Sequence, residues 1–180
     1  MSEDSFQTNE VSAQQLEKFA GTLSYHLKML GELIPWMTWF KTNGPAILRN
    51  ACLESYLTHA RLLIEFIAGR RSDNDLMKRR RNARDLQPKS FGLSDWTINT
   101  PNYFDGYLDL MDKHLSHLSL ERVTSSSTRS WAVDLIANPL LAEYGNFADR
   151  LRREGNIQYA ETIRAGVNEA LLLMNRPVQL

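Results

Sequence analysis

The chain is expected to fold as an all-α protein, a single helical bundle of about five to seven helices. Three observations point there. Apolar residues recur every three or four positions almost throughout, there are only 9 glycines and 6 prolines in 180 residues, and no stretch alternates as a half-buried strand would. After a disordered polar tail over residues 1–10, Leu16, Phe19, Leu23, Leu27, Leu30 and Ile34 mark one face of a first long helix, expected to break near Pro35. Trp36, Met37, Trp39 and Phe40 form a short apolar cluster, and Asn43-Gly44-Pro45 is a stop signal with Pro45 suited to a first helical position.

A second helix is expected from about Pro45 to Ala68, with Gly69 as its end. Projection at about 100° per residue puts Leu53, Tyr56, Leu57, Ala60, Leu63, Ile64 and Ile67 on one broad face. Ser55, His59, Leu62 and Phe66 form a second, largely apolar flank, leaving Glu54, Thr58, Arg61 and Glu65 as a narrow charged strip. A helix apolar around most of its circumference is central. Its second flank calls for cover from another helix of the chain or from a partner subunit.

Residues 69–102 interrupt the pattern as a basic loop insertion, with room for a short helix around Leu76 to Leu86. A third major helix follows from about Tyr103 to Arg122, with Phe104, Tyr107, Leu108, Met111, Leu115 and Leu118 inward. Thr124 to Thr128 is a polar linker whose hydroxyls suit helix capping. Trp131, Leu135 and Ile136 begin the next helix, and Asn138-Pro139 reads as a cap and first-turn proline opening another, which carries Leu140, Leu141, Tyr144, Phe147 and Leu151. A turn at Glu154-Gly155-Asn156 leads to a last helix over about Ile157 to Asn175. The domain thus spans 11–176, with a short tail at 177–180.

Lys plus Arg and Asp plus Glu each number 21, so no global field draws in nucleic acid or an anionic membrane. No run of apolar residues is long enough for a membrane span, and no membrane partner is expected. A single cysteine, Cys52, excludes an internal disulfide framework, and the acidic, polar opening MSEDSFQTNE is unlike a secretory leader, so a cytoplasmic location is expected.

Four histidines are few enough to weigh separately. His26, among Leu23, Leu27 and Leu30, reads as a packing or surface residue. His114, His117 and Glu121 are spaced to share a flank of the third helix and are the candidate metal ligands, with His59 or Glu65 as a further donor by type; an exposed polar flank explains them equally. No cofactor is expected. His59, Arg61, His117 and Arg122 are the candidate catalytic set, imidazoles for proton transfer and guanidiniums for phosphate charge, although an Arg61–Glu65 ion pair one turn apart would account for both of its members. Arg122 continues the inward stripe of its helix, where it would need a carboxylate or several carbonyl acceptors; a helix-terminal arginine reaching solvent explains it equally. Arg70, Arg71, Lys78, Arg79, Arg80, Arg81 and Arg84 are the candidate nucleic-acid-binding residues, with a solvated helix face as the alternative.

Two stretches, Leu53-Glu54-Ser55-Tyr56-Leu57-Thr58-His59-Ala60-Arg61-Leu62-Leu63-Ile64-Glu65-Phe66 and Lys113-His114-Leu115-Ser116-His117-Leu118-Ser119-Leu120-Glu121-Arg122, resemble motifs of a widespread group of uncharacterised bacterial helical proteins. Asp75 and Trp96 match that pattern loosely. The group is similar in architecture to HEPN domains, helical bundles that often dimerise and include RNA-cleaving toxins and defence proteins. HEPN ribonucleases typically carry Arg, four to six residues and then His. No His here follows an Arg at that spacing, and Glu54, Ser55 and Tyr56 stand where His would have to follow Arg49-Asn50. The resemblance therefore implies a noncatalytic, HEPN-like interaction module that forms a homodimer and contacts RNA or a protein partner. A ribonuclease is the first alternative and a metal-binding bundle the second.

Overall fold

The computed structural model describes residues 11–68, 86–99, 101–116 and 131–178. Among them are five α-helices and no strand: α1 (Ala13–Asn43), α2 (Ala46–Ala68), α3 (Pro101–Ser116), α4 (Val133–Arg153) and α5 (Ile157–Met174), with a 3-10 turn at Pro88–Phe91. The all-α expectation is met. The expected short helix at 76–86 falls almost wholly on residues outside this description.

Each chain reversal is written locally. Ser12 opens α1 with a reciprocal cap, its Oγ accepting from the Gln15 N–H at 3.2 Å while Gln15 Oε1 accepts from the Ser12 N–H at 2.8 Å. Gly44 follows α1 in extended backbone, and α2 returns antiparallel, with Phe19 against Phe66 and His26 against His59. Gly155 takes φ +83 between α4 and α5, a left-handed conformation that favours glycine.

The broad face read for α2 is core: Tyr56, Leu57, Ala60, Leu63, Ile64 and Ile67 are fully buried. Two phenols fasten α2 to α4, Tyr56 Oη donating to the Val133 carbonyl at 2.7 Å and Tyr144 Oη to the Leu63 carbonyl at 2.9 Å. The second flank is covered in part by the chain itself: Phe66 packs on Phe19 of α1 and His59 meets His26, while Leu62 remains 44% exposed.

Neither internal proline ends a helix. α1 runs through Pro35, and beyond it Trp36, Trp39 and Phe40 pack on one another, Trp36 stacking on Phe40 at 5.6 Å and Trp39 meeting Phe40 edge-on at 5.0 Å. Contacts at helical spacing thus support the turns past the missing N–H. Pro139 lies inside a continuous α4, so the expected break at Asn138-Pro139 is corrected. A proline there strands the carbonyl four residues earlier, and Tyr103 Oη donates to that carbonyl, Leu135 O.

Part of the basic stretch belongs to the bundle. Phe91, at the end of the 3-10 turn, is buried against Phe19, Phe66, Phe147 and Tyr159, one ring each from α1, α2, α4 and α5. Trp96 Nε1 donates to the Ile67 carbonyl at 3.0 Å, and Arg150 of α4 reaches Asp95 at 2.9 Å. Glu143, only 4% exposed, accepts from the Asn99 backbone N–H at 3.0 Å and from Asn99 Nδ2 at 3.3 Å. The segment is thereby laid across α4 toward α3.

α1 and α5 run parallel and touch backbone to backbone. A Cβ on Gly31 would sit 2.6 Å from Ala170 Cα, and one on Gly166 would sit 2.8 Å from Ser24 Cα. Gly31→Ala is expected to destabilise the protein by about 1–3 kcal/mol because backbone must move. Gly21→Ala, on the same helix with nothing within 4 Å of the added carbon, is expected to add roughly 0.5–1 kcal/mol. Urea unfolding of the two variants checks the opposite signs.

Candidate functional site

Helical periodicity and the hairpin turn decide where the α2 side chains go. His59 lies on the second flank and meets His26 across the α1–α2 seam, their Nδ1 atoms 2.7 Å apart and their rings tilted at 50° with centroids 4.9 Å apart. A contact this short between two imidazole nitrogens needs one N–H donating to one lone pair. Tyr25 packs edge-on against both rings, at 5.5 Å from His26 and 5.9 Å from His59. Burial lowers the pKa of His26, and burial followed by the charge of His26 lowers that of His59.

Two positions further on, Arg61 points to a different neighbour. Its Nε lies 2.8 Å from Glu65 Oε1 and its Nη1 lies 2.7 Å from Asp112 Oδ1 of α3. The expected Arg61–Glu65 pair is therefore present, extended by a carboxylate from the third helix. The two motif-bearing helices lie side by side, but the imidazole and guanidinium of α2 turn to α1 and α3 respectively. Of the candidate catalytic set, His117 and Arg122 lie outside the described residues.

The same holds for most of the other candidates. Arg70, Arg71, Lys78, Arg79, Arg80, Arg81 and Arg84 lie outside the described residues, as do His117 and Glu121, while His114 is placed only as a position in α3. Among the described residues no group of three or more His, Cys, Asp or Glu side chains is placed to hold a metal ion.

Two features escaped the reading of the sequence. The His26–His59 contact is one; the residues are symmetric about the same point of the α1–α2 hairpin as Phe19 and Phe66, so hairpin geometry was the signal. The tip of the hairpin is the other. No residue from 35 to 55 is buried, the core beginning only at Ile34 on α1 and Tyr56 on α2. The tip carries the half-buried Trp36, Trp39 and Phe40 at the end of α1 and, at the start of α2, Ile47, which is 74% exposed, and the exposed Leu48. α5 ends alongside: Trp36 and Pro35 share a cleft of about 200 Å³ with Glu32, Leu173, Arg176 and Pro177. Cys52, on the same stretch, has its thiol pKa raised by burial.

Compared with protein-family models, curated proteins and solved structures, the chain matches none.

The histidine pair sets a pH dependence. Each ring binds its proton more weakly folded than unfolded, so the unfolded chain holds more protons just below the ordinary histidine pKa of 6.5. The pair's contribution is complete above pH 6.5 and is lost as pH falls through the lowered folded values. Urea midpoints measured from pH 8 downward should fall below pH 6.5 in the wild type, and this dependence should be shallower in a His26→Gln/His59→Gln variant.

Proposed function

We propose that this chain is a noncatalytic, HEPN-like helical interaction module that self-associates through the tip of the α1–α2 hairpin and contacts RNA through the basic stretch. The observation that carries this reading is the unburied tip, where Trp36, Trp39, Phe40, Ile47 and Leu48 lie on consecutive turns of two joined helices. Large apolar side chains gathered at one place on a surface, rather than scattered, mark an interaction site, and aromatic rings dominate the energetics of such contacts. A second copy of the same hairpin supplies the same rings and requires no charge compensation, in keeping with a chain of zero net charge.

The noncatalytic part of the reading draws support from the partners of α2. His59 is engaged with His26, and Arg61 is held between Glu65 and Asp112, so each group answers to its own neighbour. RNA contact is the part inherited from Arg70, Arg71, Lys78, Arg79, Arg80, Arg81 and Arg84, whose charges would displace counterions along a phosphate backbone.

Sedimentation velocity should give a dimer for the wild type at micromolar concentration and a monomer for Trp39→Glu with unchanged helicity; a monomeric wild type overturns the self-association. On RNA, neutralising Arg79, Arg80 and Arg81 together should reduce the salt slope of binding by about three. An unchanged slope removes the basic stretch as the contact.

A further inference from the structure

We propose that the cleft between the end of α5 and the Pro35 turn of α1 receives the same cleft of a second copy, in a two-fold dimer whose axis runs along the cleft and which pairs Glu32 of each chain with Arg176 of the other. The dimer so defined rests on the self-association at the hairpin tip and gives it a register. The cleft exists because two parallel helices end at different heights. α1 and α5 approach backbone to backbone at Gly31 and Ala170, but α5 stops at Met174, with Pro177 shortly beyond it, whereas α1 continues to Asn43. Past that contact the two elements enclose a space of about 200 Å³, with Glu32 and Trp36 on the α1 bank and Leu173, Arg176 and Pro177 on the other.

The banks carry opposite charges that the chain itself leaves apart. One turn earlier on α1, Lys28 closes an ion pair with Glu169 of α5 at 2.7 Å. Glu32 and Arg176, both exposed, make no ion pair among the described residues. An isologous contact places residue i of one chain on residue j of the other, and j on i. With the axis along the cleft, the acidic bank of each copy lies on the basic bank of the other and both pairs form. With the axis across it, Glu32 would face its own counterpart, a repulsive contact. The charges therefore select the first register. The cleft is also continuous with the hairpin tip, because Trp36 belongs to both, lining the cleft and stacking on Phe40 at 5.6 Å. Its indole, half-buried in the single chain, then lies at the centre of the contact with the two ion pairs at the rim, and an aromatic centre inside a polar rim is the usual anatomy of a specific interface.

The test is sedimentation velocity of the full chain as wild type, as Glu32→Arg, as Arg176→Glu and as an equimolar mixture of the two variants with one of them fluorescently labelled. Each variant alone should dimerise roughly tenfold or more weakly than the wild type, because both rim contacts become like-charged. Mixed, the variants should recover a dimer holding one chain of each kind, since in that pairing every contact again joins an acid to a base. An ion pair within one chain cannot produce this recovery. Far-UV circular dichroism checks that both variants keep their helicity, and recovery in the mixture shows independently that both are folded. A wild-type dimer that both substitutions leave intact, or a mixture that stays monomeric, overturns the Glu32–Arg176 register while the self-association stands. A monomeric wild type overturns the self-association and the register with it.

Discussion

The architecture depends on the broad apolar face of α2 being covered, with Thr58 and Leu62 left on its open side. A helix that buries Tyr56, Leu57, Ala60, Leu63, Ile64, Phe66 and Ile67 cannot lie on a surface, so α1, α3 and α4 must each take a part of its circumference. The remaining elements serve that requirement. Phe91 closes the space between α1, α2, α4 and α5, and the phenols of Tyr56 and Tyr144 bring their hydroxyls to α4 and α2 carbonyls, so that each has an acceptor. Burial also raises both phenol pKa values, with Asp134 and then Tyr107 and Tyr103 adding to the effect at Tyr56, so these groups remain neutral donors.

The same constraint separates the chemistry. Because α2 divides α1 from α3, residues two positions apart on it face different helices, and His59 and Arg61 acquire different partners for that reason. Proximity in sequence does not make a joint site on a central helix. Where the cover stops, at Ile34 and Tyr56, the two helices continue as an unburied hairpin tip, and apolar residues that serve the core elsewhere are left facing outward. The core and the candidate interface are thus consecutive parts of one amphipathic pattern.

Much of the bundle was legible because helical periodicity is a local property. The core face of α2, the inward residues Phe104, Leu108 and Met111 of α3, and the Glu154-Gly155-Asn156 turn all follow from spacing and turn chemistry. The prolines misled because their cost is local and its compensation is not. Leu135 O finds its donor on Tyr103, more than thirty residues earlier, and the turns beyond Pro35 are supported by aromatic packing. Phe91 and Glu143 were not legible as key residues. Phe91 stands in a stretch without periodicity, and Glu143 looks like any helical carboxylate until Asn99 is brought to it by the chain path. The histidine pair lies between these cases, since its parts read as unremarkable and only the hairpin's symmetry joins them.

Native-state hydrogen exchange tests the central position of α2 most directly. Amides from Tyr56 to Ile67 should be among the slowest in the molecule and exchange only through global unfolding, while those of Ile47 to Asn50 at the hairpin tip exchange through local opening. Tip-like exchange along the whole of α2, with α4 and α5 remaining protected, would contradict the account.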